Sequence, residues 1–272
     1  MAIIKALHIG SLGLYWISFL FYWRFFLSNK EKTVRVATGT LLFSLVLHTI
    51  MLLAFSFERG HLPLAQFGEA ATAFAWIMAT LYLVQQYLLK EREFGVFVLG
   101  MVSVVQLISV LVIDYTQPLA EILYNVLFEI HVVSMLFAYA GFTLGFIAAL
   151  MYLLLFHDIH GHRFGLFYSR LPSLEFLDKL NIRSILFGLI LLTLGIALGM
   201  MNAGKAWGFL WEWDPKLTIV FLNWLLYLYF AISYWLFGWR GQRTAVVSVI
   251  GFIVVIFSFF IVTNFASTIH TF

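Results

Sequence analysis

The sequence predicts an all-α, polytopic membrane protein with eight transmembrane helices. Hydrophobic residues make up 63% of the 272 positions and charged residues only 11%, an apolar content that a water-soluble domain cannot bury. Eight apolar stretches are each long enough to cross about 30 Å of hydrocarbon at about 1.5 Å per residue. No connection between them has room for a soluble domain, so residues 1–272 are predicted to form a single integral membrane domain.

The eight predicted spans follow one another in order. They lie at 4–27, 36–57, 69–89, 95–114, 128–156, 184–202, 217–237 and 245–265. The first is long and lacks the basic n-region and small-residue cleavage site of a signal peptide, which predicts a retained span. The fifth is long enough to tilt in the bilayer or to project from it. The longest connection, 157–183, holds at most a short amphipathic segment at 171–177.

The positions of the basic residues predict the orientation, because cytoplasmic loops carry an excess of Lys and Arg. Twelve of the sixteen basic residues fall on one side of the predicted spans: Arg24, Lys30, Lys32, Arg35, Lys90, Arg92, Arg163, Arg170, Lys179, Arg183, Arg240 and Arg243. The other four fall on the opposite side: Lys5, Arg59, Lys205 and Lys216. Both termini and the loops at 58–68, 114–128 and 203–216 are therefore predicted to face outward, which gives an N-out and C-out topology.

The composition also excludes several classes of protein. The pI near 9.1 comes from basic residues dispersed in short loops, which predicts contact with membrane lipid and no nucleic-acid partner. The chain has no cysteine, so it forms no disulfide, no CxxC redox pair and no thiolate metal site.

The predicted outer loop at 203–216 holds three tryptophans in seven residues, Trp207, Trp211 and Trp213. A tryptophan at the membrane surface is ordinarily an anchor at headgroup level, and one for each helix end meets that need. Three in one short loop favour a broad apolar platform for a large planar ligand, with a dense aromatic belt as the alternative. Asp214 either orients the loop or caps the helix that follows it.

Two histidines share the predicted outer face with this loop. His131 opens the fifth span, and His270 lies in the tail beyond the last span. Imidazole is a common axial ligand of haem iron, so two histidines beside an aromatic plate would hold a haem from both faces. Taken alone, each is more typical of an ordinary interfacial histidine than of a ligand; their shared face with the loop reverses this and favours the haem-ligand interpretation.

His48 lies about twelve residues, roughly 18 Å, into the second span, near the middle of the bilayer. An ionisable residue at that depth is either functional or held by a hydrogen bond to a neighbouring helix, and the sequence leaves both interpretations open.

The remaining histidines carry weaker signals. His61 is expected to shape the loop at 58–68, and His8 has no distinguishing context. A cluster of three histidines and one aspartate, at His157, Asp158, His160 and His162, is expected to form a solvated loop, since its spacing fits no standard metal site.

Together these features resemble the haem-handling proteins of cytochrome c maturation, the CcsA, ResC, CcmC and CcmF group. Their signature is an outer loop of the form WGxxWxWDxK/R flanked by two external histidines, and the stretch Trp207–Lys216 matches it, with His131 and His270 at the histidine positions. The ending Asp-Pro-Lys resembles the CcsA and ResC branch. The stretch 59–63 followed by Glu69 resembles the upstream GHxPxxxxxE motif of the group.

The resemblance implies a function. The chain would bind haem b at the outer face against Trp207, Trp211, Trp213 and Asp214, with His131 and His270 as axial ligands. It would present the haem to the CxxCH cysteines of an apocytochrome c, as one subunit of a cytochrome c haem lyase completed by a CcsB/ResB-like membrane protein. The location implied is the bacterial cytoplasmic (inner) membrane, with the tryptophan loop on the periplasmic side.

The chain departs from the group at two positions. Ile232 stands about where relatives carry a histidine within the membrane, and Leu217 replaces a glutamate. A second haem position inside the membrane would then be absent, or would depend on His48 or on a histidine of a partner protein. These departures keep an alternative open, a HemX-like regulatory or accessory membrane protein that binds haem without attaching it. A haem transporter subunit is a third interpretation, although the chain has no nucleotide-binding motif to drive export.

Overall fold

The computed structural model describes residues 1–116, 125–207 and 215–265. At 204–207, 215–216 and 258–265 it describes the backbone only. In these ranges the regular secondary structure is entirely helical. The helices are α1 Ala2–Ser28, α2 Glu31–Arg59, α3 Phe67–Leu89, α4 Gly95–Val112, α5 Val126–His160, α6 Leu166–Arg170, α7 Leu174–Trp207, α8 Pro215–Leu236 and α9 Gln242–Phe265.

Over the described residues, seven helices are long and apolar enough to cross a membrane: α1 to α5, α7 and α8. The eighth predicted span coincides with α9, Gln242–Phe265, of which the part with described side chains, Gln242–Phe257, is apolar but too short to count as a full span. The all-α, polytopic fold class is therefore confirmed, with seven spans shown and the eighth possible. The N-out and C-out orientation stays a prediction.

The boundary of α7 differs from the predicted one. The segment at 171–177 was expected to be a separate amphipathic piece before a span starting at 184. Instead, α7 starts at Leu174, where the Ser173 hydroxyl accepts a hydrogen bond from the Phe176 backbone N–H at 3.2 Å. An ion pair between Glu175 and Lys179, one turn apart, supports this exposed first turn. Residues 174–177 of the amphipathic stretch thus form the first turn of the spanning helix, with Glu175 exposed and Leu177 buried.

The chain divides into two compact units. Unit 1 comprises Met1–Leu119 with Ser169–Pro172 and contains α1 to α4, whereas unit 2 comprises Ala120–Tyr168 with Ser173–Phe272 and contains α5 and α7 to α9. In unit 1, α1 packs on α2 and α4, and α3 packs on α4 and α2. In unit 2, α5 packs along α7 and α9, and α8 packs on both α7 and α9.

Glycines bring α5 and α7 into close contact in unit 2. A Cβ atom at Gly141 would lie 2.9 Å from the Ser184 carbonyl oxygen, and one at Gly188 would lie 2.7 Å from the Phe142 ring. Small residues let two helix backbones approach in a membrane, where apolar burial alone does not hold helices together. This contact continues along α7 to Gly195 and Gly199, and it determines the surroundings of His131.

Candidate functional site

His131 lies in the second turn of α5, at the end of unit 2 where α5 begins and α7 ends. The Asn125 side chain caps α5 by accepting the Leu127 N–H at 2.9 Å. The same side chain donates through its amide nitrogen to Asn202 Oδ1 at 2.9 Å. Asn125 therefore fixes the first turn of α5 to the last turns of α7, close to His131.

The His131 ring is half-buried against α7. Its Nδ1 lies 2.7 Å from the Gly195 carbonyl oxygen. A carbonyl oxygen can only accept, so Nδ1 carries the proton and donates it. In the neutral ring the lone pair is then on Nε2.

This geometry fits the haem that the sequence implies. A metal-binding histidine almost always donates its second ring N–H to a carbonyl or carboxylate, which sets the tautomer and the ring orientation. His131 has the hydrogen bond that this arrangement requires, on Nδ1, so Nε2 is the ring atom that would bind the iron. Among the predicted haem-binding side chains that the structure describes, His131 is the one that meets this requirement.

Trp207 is the last residue of α7, and α8 begins at Pro215. Gly199, which touches the His131 ring, precedes Trp207 by eight residues, or about 12 Å along the helix. The start of the tryptophan loop and His131 therefore lie at the same end of unit 2. Trp211, Trp213, Asp214 and His270 lie outside the described residues, and the Trp207 side chain is not described either.

His48 is fully buried in unit 1, and both of its ring nitrogens have protein partners. Tyr15 Oη lies 3.0 Å from Nδ1, and Thr72 Oγ1 lies 2.8 Å from Nε2. The Thr72 hydroxyl donates its own proton to Gln106 Oε1 at 3.1 Å, so it accepts one from His48 Nε2. Nδ1 then accepts from Tyr15. The structure thus gives His48 the interhelical hydrogen bonds that were one of its two interpretations, and its role as a haem ligand stays a prediction.

The hydrogen-bond chain continues from α3 and α4 to α1. Gln106 Nε2 donates to Ser11 Oγ at 3.0 Å, and Ser11 donates to the His8 carbonyl oxygen at 2.7 Å. The side chains involved, from Tyr15 through Ser11, are all buried. A buried polar network of this kind, in which each group has a partner, holds four apolar helices in one register.

A second run of buried hydrogen bonds centres on the His8 ring. Tyr115 Oη lies 2.6 Å from His8 Nδ1, and Ser109 Oγ lies 3.3 Å from Nε2. Ser109 donates to the Gly68 carbonyl oxygen at 2.6 Å, so it accepts from His8. Sequence reasoning missed this cluster. Its signal was the placement of His8, Gln106 and several serines inside otherwise apolar spans.

The motif that contains His61 and Glu69 forms the loop before α3. Glu69 Oε2 accepts the backbone N–H groups of Ala65 at 3.0 Å and Gln66 at 3.4 Å, which completes a capping box at the start of α3. His61 is 7% exposed, and its Nδ1 donates to the Leu62 carbonyl oxygen at 2.8 Å. These contacts agree with the expected role of His61 in shaping the loop.

Two other positions from the sequence analysis lie away from His131. Ile232 is 40% exposed on α8, whereas Asn223 and Tyr227 on the opposite face are buried. Ile232 therefore does not point into the core of unit 2. The cluster at 157–162 is exposed at the end of α5, and the described residues contain no group of three or more His, Asp or Glu side chains that could hold a metal ion.

Comparison with known proteins identifies the family. The family model described as "Cytochrome C assembly protein" matches residues 6–270. The chain belongs to the cytochrome C assembly protein family. Membership in this family supports a role in cytochrome c maturation and implies the involvement of haem and of apocytochrome c. It also agrees with the multi-pass membrane architecture of the seven apolar helices.

Several curated proteins to which this chain is similar are cytochrome c biogenesis proteins named CcsA. The cytochrome c biogenesis protein CcsA of Guillardia theta is 28% identical over 88% of this chain and 86% of its own length. CcsA of Prochlorococcus marinus (strain MIT 9301) is 28% identical over 90% of this chain and 86% of its own length. The similarity thus runs over nearly the whole length of both chains.

A solved structure shares the fold. The structure named Cytochrome c Heme Lyase CcmF matches 93% of this chain with a TM-score of 0.64 at 14% sequence identity. This chain spans about half the length of that protein, since the match covers 46% of it. At this level of identity the likeness shows a common fold.

Proposed function

We propose that this protein binds haem b at the end of unit 2 and presents it for covalent attachment to an apocytochrome c. His131 and His270 are the axial ligands, and Trp207, Trp211 and Trp213 form the platform, with Asp214 orienting the loop. The partners are the CxxCH cysteines of the apocytochrome c and a CcsB/ResB-like membrane protein. The membrane is the bacterial cytoplasmic membrane, with the tryptophan loop on its outer side.

One observation carries the proposal, the hydrogen bond from His131 Nδ1 to the Gly195 carbonyl oxygen at 2.7 Å. It sets the tautomer that a haem ligand needs, at the end of unit 2 where the tryptophan loop begins. An ordinary interfacial histidine would direct its polar nitrogens to water or lipid headgroups. His131 instead donates a hydrogen bond from Nδ1 to the backbone of α7, which fixes the orientation of its ring.

Bound haem would supply the vinyl groups to which the cysteine thiols add. The residues of this chain bind and orient it. His131 would hold the iron through Nε2 while its Nδ1 donates to α7, and the three indoles would offer apolar surface to the ring system. Because the chain has no cysteine, the thiols belong to the apocytochrome c, and their reduction is the task of partners.

The test is the spectrum of the purified, haem-loaded protein. We expect a low-spin Soret band with split α and β bands, as bis-histidine ligation produces. His131→Ala and His270→Ala should each weaken this spectrum, and added imidazole should partly restore it. If both single variants keep the wild-type spectrum and haem content, the assignment of the axial ligands is wrong.

A second candidate function, a HemX-like protein that binds haem without attaching it, is favoured by a separate observation. The lone pair of His48 is engaged by Tyr15, and Ile232 lies on the exposed face of α8. A second haem inside the membrane would therefore require either breaking the bonds of His48 or a histidine from the partner. Production of cytochrome c in cells that also express the CcsB/ResB-like partner separates the two functions. Haem binding without maturation would support the HemX-like function.

A further inference from the structure

We infer that α7 positions the His131 imidazole through two backbone features, the carbonyl oxygen of Gly195 and the missing side chain of Gly199. The inference rests on the proposed function, in which His131 is an axial ligand. Gly195 and Gly199 are positioning residues, because they act on the haem only through His131.

The two glycines are four residues apart on α7, and their spacing explains how they work together. In an α-helix the carbonyl group of one residue points toward the residue four positions later, and that residue's Cβ leans back toward the helix N-terminus. A side chain at position 199 would therefore cover the Gly195 oxygen. Without one, the oxygen has a lone pair that the His131 N–H can reach, at 2.7 Å.

The contact at Gly199 is too close for any other residue. A Cβ there would lie 2.8 Å from His131 Cε1 and 2.9 Å from His131 Nδ1, below the separation at which such atoms pack. The ring would have to move, and the atom that moves is the one that donates to Gly195. Alanine at this position therefore changes the hydrogen bond as well as the packing.

The ring also has a neighbour along α5. Met135 lies one turn after His131, and its Sδ would be 2.7 Å from a Cβ at Gly195. Met135 thus occupies the space beside Gly195, while His131 occupies the space beside Gly199. The two side chains therefore fill adjacent spaces beside the two glycines of α7.

The first test compares Gly199→Ala with a matched control, Gly145→Ala. The control adds a methyl group to the same α5–α7 contact, 3.0 Å from Ile185 Cγ1 and far from His131. Loss of such an orienting contact typically lowers metal affinity about 10- to 100-fold. We expect Gly199→Ala to weaken haem affinity at least about 10-fold and to reduce the bis-histidine spectrum, which added imidazole should partly restore. Gly145→Ala should keep the wild-type affinity and spectrum.

The outcomes separate positioning from packing. Equal losses of affinity in Gly199→Ala and Gly145→Ala, with no rescue by imidazole, would mean that the methyl groups act only by disturbing helix packing. Wild-type affinity in Gly199→Ala would overturn the inference while leaving the proposed function intact. Wild-type haem content in His131→Ala would overturn the ligand assignment itself.

A second test needs no haem and no variant of α7. Nitrogen NMR of haem-free protein labelled at histidine distinguishes the two tautomers, and the His131 signals are those missing from His131→Ala. We expect His131 to be protonated at Nδ1 in the otherwise wild-type chain. An Nε2-protonated His131 would overturn the inference, even if Gly199→Ala proved too unstable to study.

Discussion

At the scale of the residue, His131 and His48 use their ring nitrogens in opposite ways. His131 donates from Nδ1 to a backbone carbonyl, so its lone pair is on Nε2. His48 donates from Nε2 to Thr72 and accepts at Nδ1 from Tyr15. The lone pair is therefore on Nε2 in His131, whereas in His48 it is on Nδ1, where it accepts the hydrogen bond from Tyr15.

This difference leads to a prediction for His48→Ala. Removing the ring leaves Tyr15 and Thr72 without their partner in a buried site, which costs about 1–3 kcal/mol for a buried polar group. We expect a lower melting temperature with unchanged haem per chain and an unchanged bis-histidine spectrum. Thermal unfolding and haem quantification on the same preparation provide the measurement.

Tyr15→Phe is the matched control for His48→Ala, because it removes one of the two His48 hydrogen bonds and keeps the aromatic ring. The two variants should be non-additive in a double-mutant cycle, since each breaks one shared interaction. A fall in haem per chain in His48→Ala, without a similar fall in Tyr15→Phe, would instead support His48 as a ligand of a second haem.

At the scale of the element, the decisive feature is the pair of helices α5 and α7. Their close contact at Gly141, Gly188, Gly195 and Gly199 brings a backbone carbonyl of one helix to a histidine of the other. The same pair, joined by Asn125 and Asn202, holds the start of α5 beside the end of α7. The tryptophan loop that follows α7 therefore begins at the end of the unit where His131 lies.

The loop itself is predicted to be a haem platform as well as a membrane anchor. A Trp211→Ala/Trp213→Ala double variant removes two large apolar contacts and should weaken haem binding by on the order of a few kcal/mol. Replacement of both by Phe should cost less, because an aromatic face remains. Haem titration of protein that inserts normally into the membrane gives the measurement. Unchanged haem retention in the Ala variant would leave only the anchor role.

At the scale of the whole molecule, the helices form two compact units of one membrane protein. Unit 1 has buried histidine, serine, threonine and glutamine side chains that bond across its helices, whereas the α5–α7 contact of unit 2 is lined by glycine. The fold is shared with the CcmF structure at only 14% identity, so the helical arrangement persists where most side chains differ.

The predicted N-out and C-out topology can be tested directly, because the chain has no cysteine of its own. A single cysteine at Leu62, which is 40% exposed in the loop before α3, should react with a membrane-impermeant maleimide in intact cells. A cysteine at His162, in the exposed turn after α5, should react only after the membrane is opened. The reverse pattern would invert the topology and place the tryptophan loop in the cytoplasm.

The sequence by itself was sufficient for the class of fold. Apolar runs of membrane-spanning length predict helices, because the backbone must satisfy its own hydrogen bonds in lipid. The tryptophan loop and the position of His131 also followed from residue types and spacing. These features depend on local chemistry, which the order of residues carries directly.

Only the tertiary structure decided the hydrogen-bond partners of His8, His48 and His131. The Gly195 carbonyl is 64 residues from His131 along the chain, and Tyr115 is 107 residues from His8. A glycine pair four residues apart on α7 allows close helix packing, a signal that sequence reasoning missed. The sequence did not say which helix would approach it, because that depends on how all the helices of unit 2 share their surfaces. The partner of each ring nitrogen, and hence its protonation, follows from that packing.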